Sequence, residues 1–170
     1  RVAGPALERF RFTGDAAASA VNALAPYWLS AETCALKTSW SQLGPRVWMN
    51  PPYSRTHAFI SKARLESQEH HRVVVCLVPS TTDVRWYHQE VMPYAQEVWF
   101  FSGRISFVHP ETSQPVSGNP VGSILVVFNG AQSYAGPRLG TLDSRTGRPL
   151  TELDGHYWRR SRPGASGFLL

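Results

Sequence analysis

The chain has 170 residues, of which 42% are hydrophobic and 17% charged, a composition typical of one globular domain with its own core. No apolar run approaches the ~20 residues needed to cross a membrane, and no secretory signal is recognised at the start, so we expect no membrane partner. The formal charge of +5 and isoelectric point near 9.6 favour a polyanionic partner, nucleic acid first, although a solvated basic surface is the plain alternative.

Cysteine usage points to a reducing compartment. Cys34 and Cys76 are the only cysteines, too few for a disulfide framework, so a cytoplasmic location is expected. Cys76 lies inside an apolar run and is predicted to be a buried packing residue. The chain has no Cys-x-x-Cys or His-Glu-x-x-His spacing, and we therefore expect no metal site.

The first predicted elements lie between residues 9 and 26. Arg9–Thr13 alternates charged and apolar residues and predicts a strand, which Gly14 and Asp15 would end. Ala16–Leu24 is rich in helix formers and predicts a helix that closes before Pro26. A strand, a tight turn, small residues and a helix are how a doubly wound α/β fold admits a nucleoside cofactor. On this pattern alone, Asp15 is best explained as a helix N-cap.

The most informative stretch is the apolar strand that ends in Asn50, Pro51, Pro52 and Tyr53. The prolines fix φ near ~−65° and remove two backbone donors, and the residue before a proline is held extended. The Asn50 amide oxygen and the Pro51 carbonyl can each accept one hydrogen from a planar NH₂ group, while the Tyr53 ring lies against the group that carries it. A simple strand-ending turn is the alternative, because Asn and Pro are turn formers.

A helix and a buried strand are predicted next. Ser54 or Thr56 can cap a helix over 57–69, with His70 and His71 as helix-end residues rather than ligands. Val73–Val78 is a continuous β-branched run, which predicts a central parallel strand buried on both faces.

A short helix from Asp83 to about Val91 is predicted after that strand. It carries Arg85 and Trp86 to the carboxyl edge of the sheet, where ligands bind. Aromatic and basic residues interleaved there suit DNA or an extruded base. For Trp86, packing under the sheet edge is an equal alternative.

The remaining chain predicts two more strands and a basic tail. Glu97–Phe101 is a strand, and Arg104–Val108 is expected to form an antiparallel hairpin with Ser123–Phe128 across a loop at 109–122. Residues 131–170 hold six arginines and three acidic residues, which gives +3 of the total charge. We expect a domain at 1–130 and a basic extension at 131–170, which is either a DNA-gripping arm or a poorly ordered extension.

Together these motifs resemble one family, the phage-type DNA N6-adenine methyltransferases (Dam-like). The resemblance covers about residues 10–128 and rests chiefly on the Asn-Pro-Pro-Tyr motif. The other matching pieces are Phe12–Ser19 with Asn22, Leu77–Pro79 followed by Asp83 and Trp86–His88, Gly103–Phe107, and Ser123–Phe128.

The resemblance implies a Rossmann-like, S-adenosylmethionine-dependent methyltransferase sheet with a terminal antiparallel hairpin, acting on the N6 amine of a flipped adenine in DNA. The implied catalytic residues are Asn50, Pro51, Pro52 and Tyr53. The implied cofactor-binding residues are Asp15, Ala16, Ala17, Asn22, Glu32 and Asn50. The implied DNA-contacting residues are Tyr53, Ser54, Arg55, Arg85, Trp86 and Arg104.

Three alternatives to this function stay open. The same motif serves enzymes that methylate a protein glutamine amide or adenine in RNA. A DNA-binding relative that has lost catalysis is the third, because the segment Glu32-Thr33-Cys34 holds few acids. The family implies a bacterial or phage-infected host cell, and we expect a monomer or weak dimer.

Overall fold

The computed structural model describes residues 8–30, 35–108, 115–116, 121–130 and 136–153. Its long helix is α1, Thr56–His70, and shorter helical turns lie at Ser41–Leu43, Tyr53–Arg55 and Tyr87–Val91. The strands within these ranges are, in chain order, β1 Gly14–Asp15, β2 Tyr27–Trp28, β3 Arg46–Met49, β4 Val73–Pro79, β5 Glu97–Ser102, β6 Phe107–Val108, β7 Pro115–Val116, β8 Ser123–Phe128, β9 Arg138–Asp143 and β10 Pro149–Leu153.

Eight of these strands form one mixed sheet in the order β10-β9-β5-β8-β4-β3-β1-β2. The strands β1 to β4 are mutually parallel, and β8 runs antiparallel to both β4 and β5. At the other side, β9 is parallel to β5, and β10 is antiparallel to β9. The predicted α/β class, with a reversed strand late in the chain, is therefore confirmed.

Strand β4 forms the centre of the core because its side chains feed both faces of the sheet. Val74, Cys76 and Val78 pack into a cluster on one face, and Val75 and Leu77 pack into a second cluster. This alternation explains the continuous apolar run, which the sequence predicted as a strand buried on both faces. Burial also raises the pKa of the Cys76 thiol, as expected of a packing residue.

Helix α1 covers the first of these clusters and matches the predicted helix to within one residue at each end. It begins where the Thr56 hydroxyl donates to the Tyr53 carbonyl at 2.9 Å. It ends at His71, which adopts a left-handed conformation with φ 51° and donates its N–H to the Ser67 carbonyl. In the described part of the chain, no helix is both long and apolar enough to cross a membrane.

Two predicted elements near the start of the chain are wrong. Residues 8–10 are helical rather than extended, and Arg11 has φ 48°, which interrupts the expected strand over residues 9–13. The rings of Phe10 and Phe12 instead stack on each other, and the Phe12 ring packs at a tilt against Trp48, with their centroids 5.4 Å apart. The helix expected over 16–24 is a loop with turns, because tertiary hydrogen bonds hold its backbone.

The late strands also pair differently from the prediction. The β8 strand does not form a hairpin with residues 104–108, but lies between β4 and β5. The β6 strand pairs with β7, which lies within the predicted 109–122 loop, in a separate two-stranded sheet. The helix predicted over 83–91 begins at residue 85 and is π-helical from Tyr87 to Val91.

The sheet continues beyond residue 130 through β9 and β10. Gly140 of β9 is needed for close packing, since a Cβ there would lie 2.3 Å from the Trp99 ring. The division of the chain into a domain at 1–130 and a basic extension at 131–170 stays a prediction. Residues 154–170 lie outside the described residues, as do 131–135.

A buried carboxylate at the start of β5 joins both ends of the described chain. Glu97 accepts hydrogen bonds from Arg9 and Arg138, each at 2.8 Å, and from the Trp99 indole N–H at 2.7 Å. Burial raises the pKa of Glu97, but these donors more than offset burial, so the pKa lies below its usual value. The N-terminal helical turn and β9 are therefore both bonded to the same carboxylate oxygen of Glu97.

Candidate active site

The site begins where the strand order reverses. The chain runs from β1 to the edge strand β2, and then to β3 on the other side of β1. At such a reversal, the carboxyl ends of parallel strands leave a crevice that binds ligands. Asp15 lies opposite Trp48, and the Ala16 N–H donates to the Trp48 carbonyl at 2.9 Å. Ala17 and Asn50 therefore leave the sheet at the same edge.

Gly14 lets β1 approach the neighbouring helical turn closely. A Cβ on Gly14 would lie 2.3 Å from the Cβ of Leu43 and 2.5 Å from its carbonyl oxygen. One residue earlier, the Thr13 hydroxyl donates to the same Leu43 carbonyl at 2.8 Å. The chain thus has room only for a glycine immediately before Asp15.

Asp15 is buried and holds the loop that follows it. One carboxylate oxygen accepts the Ala17 N–H and the other accepts the Leu24 N–H, both at 3.1 Å. Burial raises the pKa of Asp15 to about 6, and these two hydrogen bonds only partly offset the effect. The expected helix N-cap is absent because no helix follows, and the carboxylate instead joins loop positions far apart in sequence.

The raised pKa of Asp15 predicts a distinctive pH dependence. Because the folded-state pKa of about 6 lies above the ordinary 3.8, the stabilising contribution is complete below the ordinary value and is lost as pH rises through about 6. We expect the difference in free energy of unfolding between wild type and Asp15→Asn to change by about 2–3 kcal/mol between pH ~4 and ~7. Urea unfolding across this range measures it.

The control for this measurement is Asp143→Asn. Hydrogen bonds from Thr146 and Arg145 hold the pKa of the partly exposed Asp143 below its usual value, so Asp143 stays ionised across the same range. Its replacement should leave the pH slope of the wild type intact. If the free energy of unfolding changed with pH in the same way for the wild type and Asp15→Asn, the result would contradict the burial of an ionisable Asp15.

The loop after Asp15 is built from small residues. Ala16 is fully buried, Ala17 is partly exposed, and the Ala18 N–H donates to the Leu29 carbonyl at 3.0 Å. Asn22 is exposed, and its side-chain oxygen accepts both the N–H and the hydroxyl of Ser19, at 2.6 and 3.0 Å. Ala16 and Ala17 thus lie at the crevice, whereas the Asn22 oxygen is used within the loop. Glu32 lies outside the described residues.

The Asn-Pro-Pro-Tyr turn follows β3 directly and is rigid. Pro52 has φ −55° and ψ 127°, an extended conformation, and its carbonyl accepts the Arg55 N–H at 2.9 Å. The Tyr53 carbonyl accepts both the backbone N–H and the hydroxyl of Thr56. The second half of the turn is therefore satisfied by its own backbone and by the start of α1.

The first half of the turn keeps its acceptors free. In the described ranges, neither the Asn50 side-chain amide nor the Pro51 carbonyl has a hydrogen-bond partner in the protein. Asn50 is partly exposed at the sheet edge, and Pro51 is buried beside it. Two acceptors without partners, held by proline geometry, suit a ligand with two N–H donors.

Tyr53 is positioned by a residue that the sequence did not single out. Its hydroxyl lies 3.3 Å from that of Ser123, which is 2% exposed and begins β8. Because β8 is reversed, its first residue lies at the carboxyl edge of the sheet, opposite Pro79. A serine at the head of an otherwise apolar strand was the available signal, and using it required knowledge of the strand direction.

Three of the predicted DNA-contacting arginines follow successive parallel strands. Arg55, Arg85 and Arg104 come after the carboxyl ends of β3, β4 and β5, and all three are exposed, as is Ser54. They therefore share the edge that carries Asn50, and their contact with DNA stays a prediction.

Trp86 differs from these residues. It is 9% exposed, belongs to the core and makes an edge contact with Tyr87, so the geometry favours the packing alternative. Nowhere in the described ranges do three His, Cys, Asp or Glu side chains form a group able to hold a metal.

Comparison with known proteins gives the family. The family profile described as DNA N-6-adenine-methyltransferase (Dam) matches residues 5–148. A DNA N-6-adenine-methyltransferase of Escherichia phage T1 is 33% identical over 128 residues, 67% of this chain and 53% of the relative. One of Haemophilus phage HP1 (strain HP1c1) is 28% identical over 124 residues, 73% of this chain and 70% of the relative.

The chain spans about half the length of the T1 relative. No solved structure matches the chain. The profile match covers the sheet edge and the Asn-Pro-Pro-Tyr turn described above, and the chain belongs to the DNA N-6-adenine-methyltransferase (Dam) family.

Proposed function

We propose that the protein transfers a methyl group from S-adenosylmethionine to the N6 amine of adenine in DNA. The observation that carries the proposal is a pair of acceptors at the edge where β1 and β3 end, the Asn50 amide and the Pro51 carbonyl, which have no hydrogen-bond partner among the residues that the structure describes. An adenine N6 amine has two N–H donors, which match these acceptors in number and kind. The names of the two phage relatives support DNA as the substrate.

The crevice beside Asn50 fits a nucleoside cofactor. Ala16 and Ala17 have small side chains, which allow cofactor atoms to approach the backbone, and Asp15 fixes the loop that contains them. Since both oxygens of Asp15 bond to loop N–H groups, we assign Asp15 a positioning role. S-adenosylmethionine, when bound, supplies an electrophilic methyl group on its sulfonium.

The residues of the turn act on the amine. Asn50 and Pro51 accept hydrogen bonds from its two N–H groups, which draws the nitrogen lone pair out of conjugation with the ring. One of the two protons leaves the nitrogen for solvent after the methyl group has been transferred. Tyr53 stacks on the base and holds the amine at the acceptors. Catalysis then consists of positioning and polarisation, without a covalent enzyme intermediate.

Base flipping follows from the location of the target nitrogen. N6 of adenine is hydrogen-bonded inside a duplex, so the base must leave the stack before the amine can reach Asn50. The exposed arginines at the same edge, Arg55, Arg85 and Arg104, are placed to hold the backbone of the opened strand.

The test is transfer of a labelled methyl group from S-adenosylmethionine to DNA, RNA and a protein mixture in parallel. We expect label in DNA only, recovered as N6-methyladenine after digestion to nucleosides. Label in RNA, or in glutamine side chains of protein, would show that RNA or protein is the substrate in place of DNA. DNA binding without label in any substrate would identify a relative that has lost catalysis.

A matched pair of variants separates the contribution of the Tyr53 ring to catalysis from that of its hydroxyl. Tyr53→Ala removes base stacking, worth about 1–3 kcal/mol, and should lower kcat/KM by roughly 10- to 100-fold. Tyr53→Phe keeps the ring and removes the hydroxyl that lies 3.3 Å from that of Ser123, so we expect a loss of about five-fold or less, matched by Ser123→Ala. Steady-state kinetics on one DNA substrate measures all three, and equal losses in Tyr53→Phe and Tyr53→Ala would contradict stacking.

A further inference from the structure

The turn between β9 and β10, residues 143–148, lies at the same edge of the sheet as the active site. Strand β9 runs parallel to β5, and its last residue, Asp143, lies opposite Ser102, the last residue of β5. The turn also approaches the loop after β5 closely, since a Cβ on Gly103 would lie 2.8 Å from the Ser144 hydroxyl. The β9–β10 turn is therefore next to Arg104, in line with the carboxyl ends of β3, β4 and β5.

The β9–β10 turn has a defined conformation. One Asp143 carboxylate oxygen accepts the N–H groups of Arg145 and Thr146, at 2.9 and 2.7 Å, and the Thr146 hydroxyl at 3.0 Å. The Gly147 N–H donates to the Asp143 carbonyl at 2.7 Å, and Gly147 has φ 67°, which favours glycine. A fixed turn presents its side chains at a lower entropic cost of binding than a flexible arm.

The charges of the β9–β10 turn are arranged for an anion. Arg145 and Arg148 are both exposed, whereas the only acid in the turn, Asp143, has one carboxylate oxygen engaged by three donors of the turn itself, so two cations face one partly compensated anion. The two arginines extend the line of exposed arginines formed by Arg55, Arg85 and Arg104 along one edge.

We propose that Arg145 and Arg148 bind DNA phosphates that flank the target adenine on one side. This inference rests on the proposed DNA substrate. Four strand spacings separate β9 from β3 across the sheet, and at about 4.8 Å each they place the turn roughly 19 Å from Asn50. With a rise of about 3.4 Å per base pair, the turn reaches phosphates roughly six base pairs from the flipped base.

The test combines charge removal with trimmed DNA. The adenine that the wild type methylates is first mapped in plasmid DNA and then built into duplexes with about 15 base pairs on both sides, or with one side cut to about three. On the long duplex, Arg145→Gln with Arg148→Gln should lower the salt slope of the binding constant by roughly 0.9 per lost phosphate contact. Trimming one specific side should give the wild type the slope of the double variant, and trimming the other side should not.

The matched control is Arg11→Gln. Arg11 is exposed and precedes β1, at the opposite edge of the sheet. Its backbone carbonyl, rather than its side chain, accepts a hydrogen bond from the Arg46 guanidinium. Its replacement removes one charge and should leave both the slope and the flank dependence unchanged.

The outcomes separate the two proposals. A wild type that methylates DNA, with equal slopes in the wild type and the double variant, would overturn the role of the β9–β10 turn alone. A double variant with about twice the loss of Arg11→Gln, in proportion to the charge removed and equal on every duplex, would reduce the effect to net charge and also overturn it. A wild type that neither binds nor methylates DNA would overturn the turn's role together with the proposed function.

Discussion

Replacing Asn50 by alanine is expected to lower the methylation rate about 10²- to 10³-fold, equivalent to roughly 3–4 kcal/mol of transition-state stabilisation. The Asn50 amide has no protein partner among the described residues, so its removal deletes an acceptor for substrate and leaves no buried donor unpaired. Binding of S-adenosylmethionine should change little, because Ala16, Ala17 and the loop held by Asp15 are untouched. Single-turnover methylation and calorimetry with the cofactor measure the two effects separately.

Asn50→Asp is the companion variant. Aspartate has nearly the same shape and keeps an oxygen acceptor at the same place, so we expect more residual activity than in Asn50→Ala. Both variants should unfold at the denaturant concentration of the wild type, since Asn50 is not part of the core. Unchanged turnover in Asn50→Ala would remove the role assigned to this residue.

Replacing Gly14 by alanine is expected to destabilise the fold by about 4 kcal/mol, above the ~1–3 kcal/mol usual for overpacking. The added methyl group would lie 2.3 Å from the Leu43 Cβ and 2.5 Å from the Leu43 carbonyl oxygen. A backbone atom cannot rotate away, so β1 must separate from the helical turn at Ser41–Leu43. Chemical denaturation measures the loss of stability, and truncating Leu43 to alanine should not rescue it because its Cβ and carbonyl remain.

Gly122→Ala is the matched control for Gly14→Ala. Its added Cβ would meet the Ser80 hydroxyl at 2.6 Å, but that hydroxyl is the end of a rotatable side chain. We expect a loss of about 1 kcal/mol or less at Gly122. Equal losses at the two glycines would contradict the argument from backbone contact.

The sequence predicted the elements whose stability is local or whose burial is complete. The helix over 57–69 and the strand over 73–78 carry strong periodic or continuous apolar patterns. The structure extends the helix by one residue at each end and the strand by one residue at its carboxyl end. The helix expected at 16–24 failed because the Asp15 carboxylate bonds two loop N–H groups nine and two residues away. Such contacts override the helix propensity of alanine, and no local sequence pattern predicts them.

The late strands could not be predicted for a different physical reason. Pairing of β8 with β4 and β5, and of β9 with β5, joins segments far apart in sequence, and β9 has no strict alternation. For the candidate site, the sequence singled out Asn50 to Tyr53 because proline constrains the backbone directly, and their catalytic role stays a prediction. Ser123 was missed because its role depends on the direction of β8.

Glu97 has a consequence for how the protein unfolds. Its buried carboxylate takes hydrogen bonds from Arg9, in the first helical turn, and from Arg138, in β9. If one segment detaches, the arginine of the other still compensates the buried charge, whereas loss of both arginines would leave Glu97 with only the Trp99 indole N–H among these donors. Either end of the described chain can therefore fray while the other stays docked, and detachment of both segments costs more than the sum of the two separate losses.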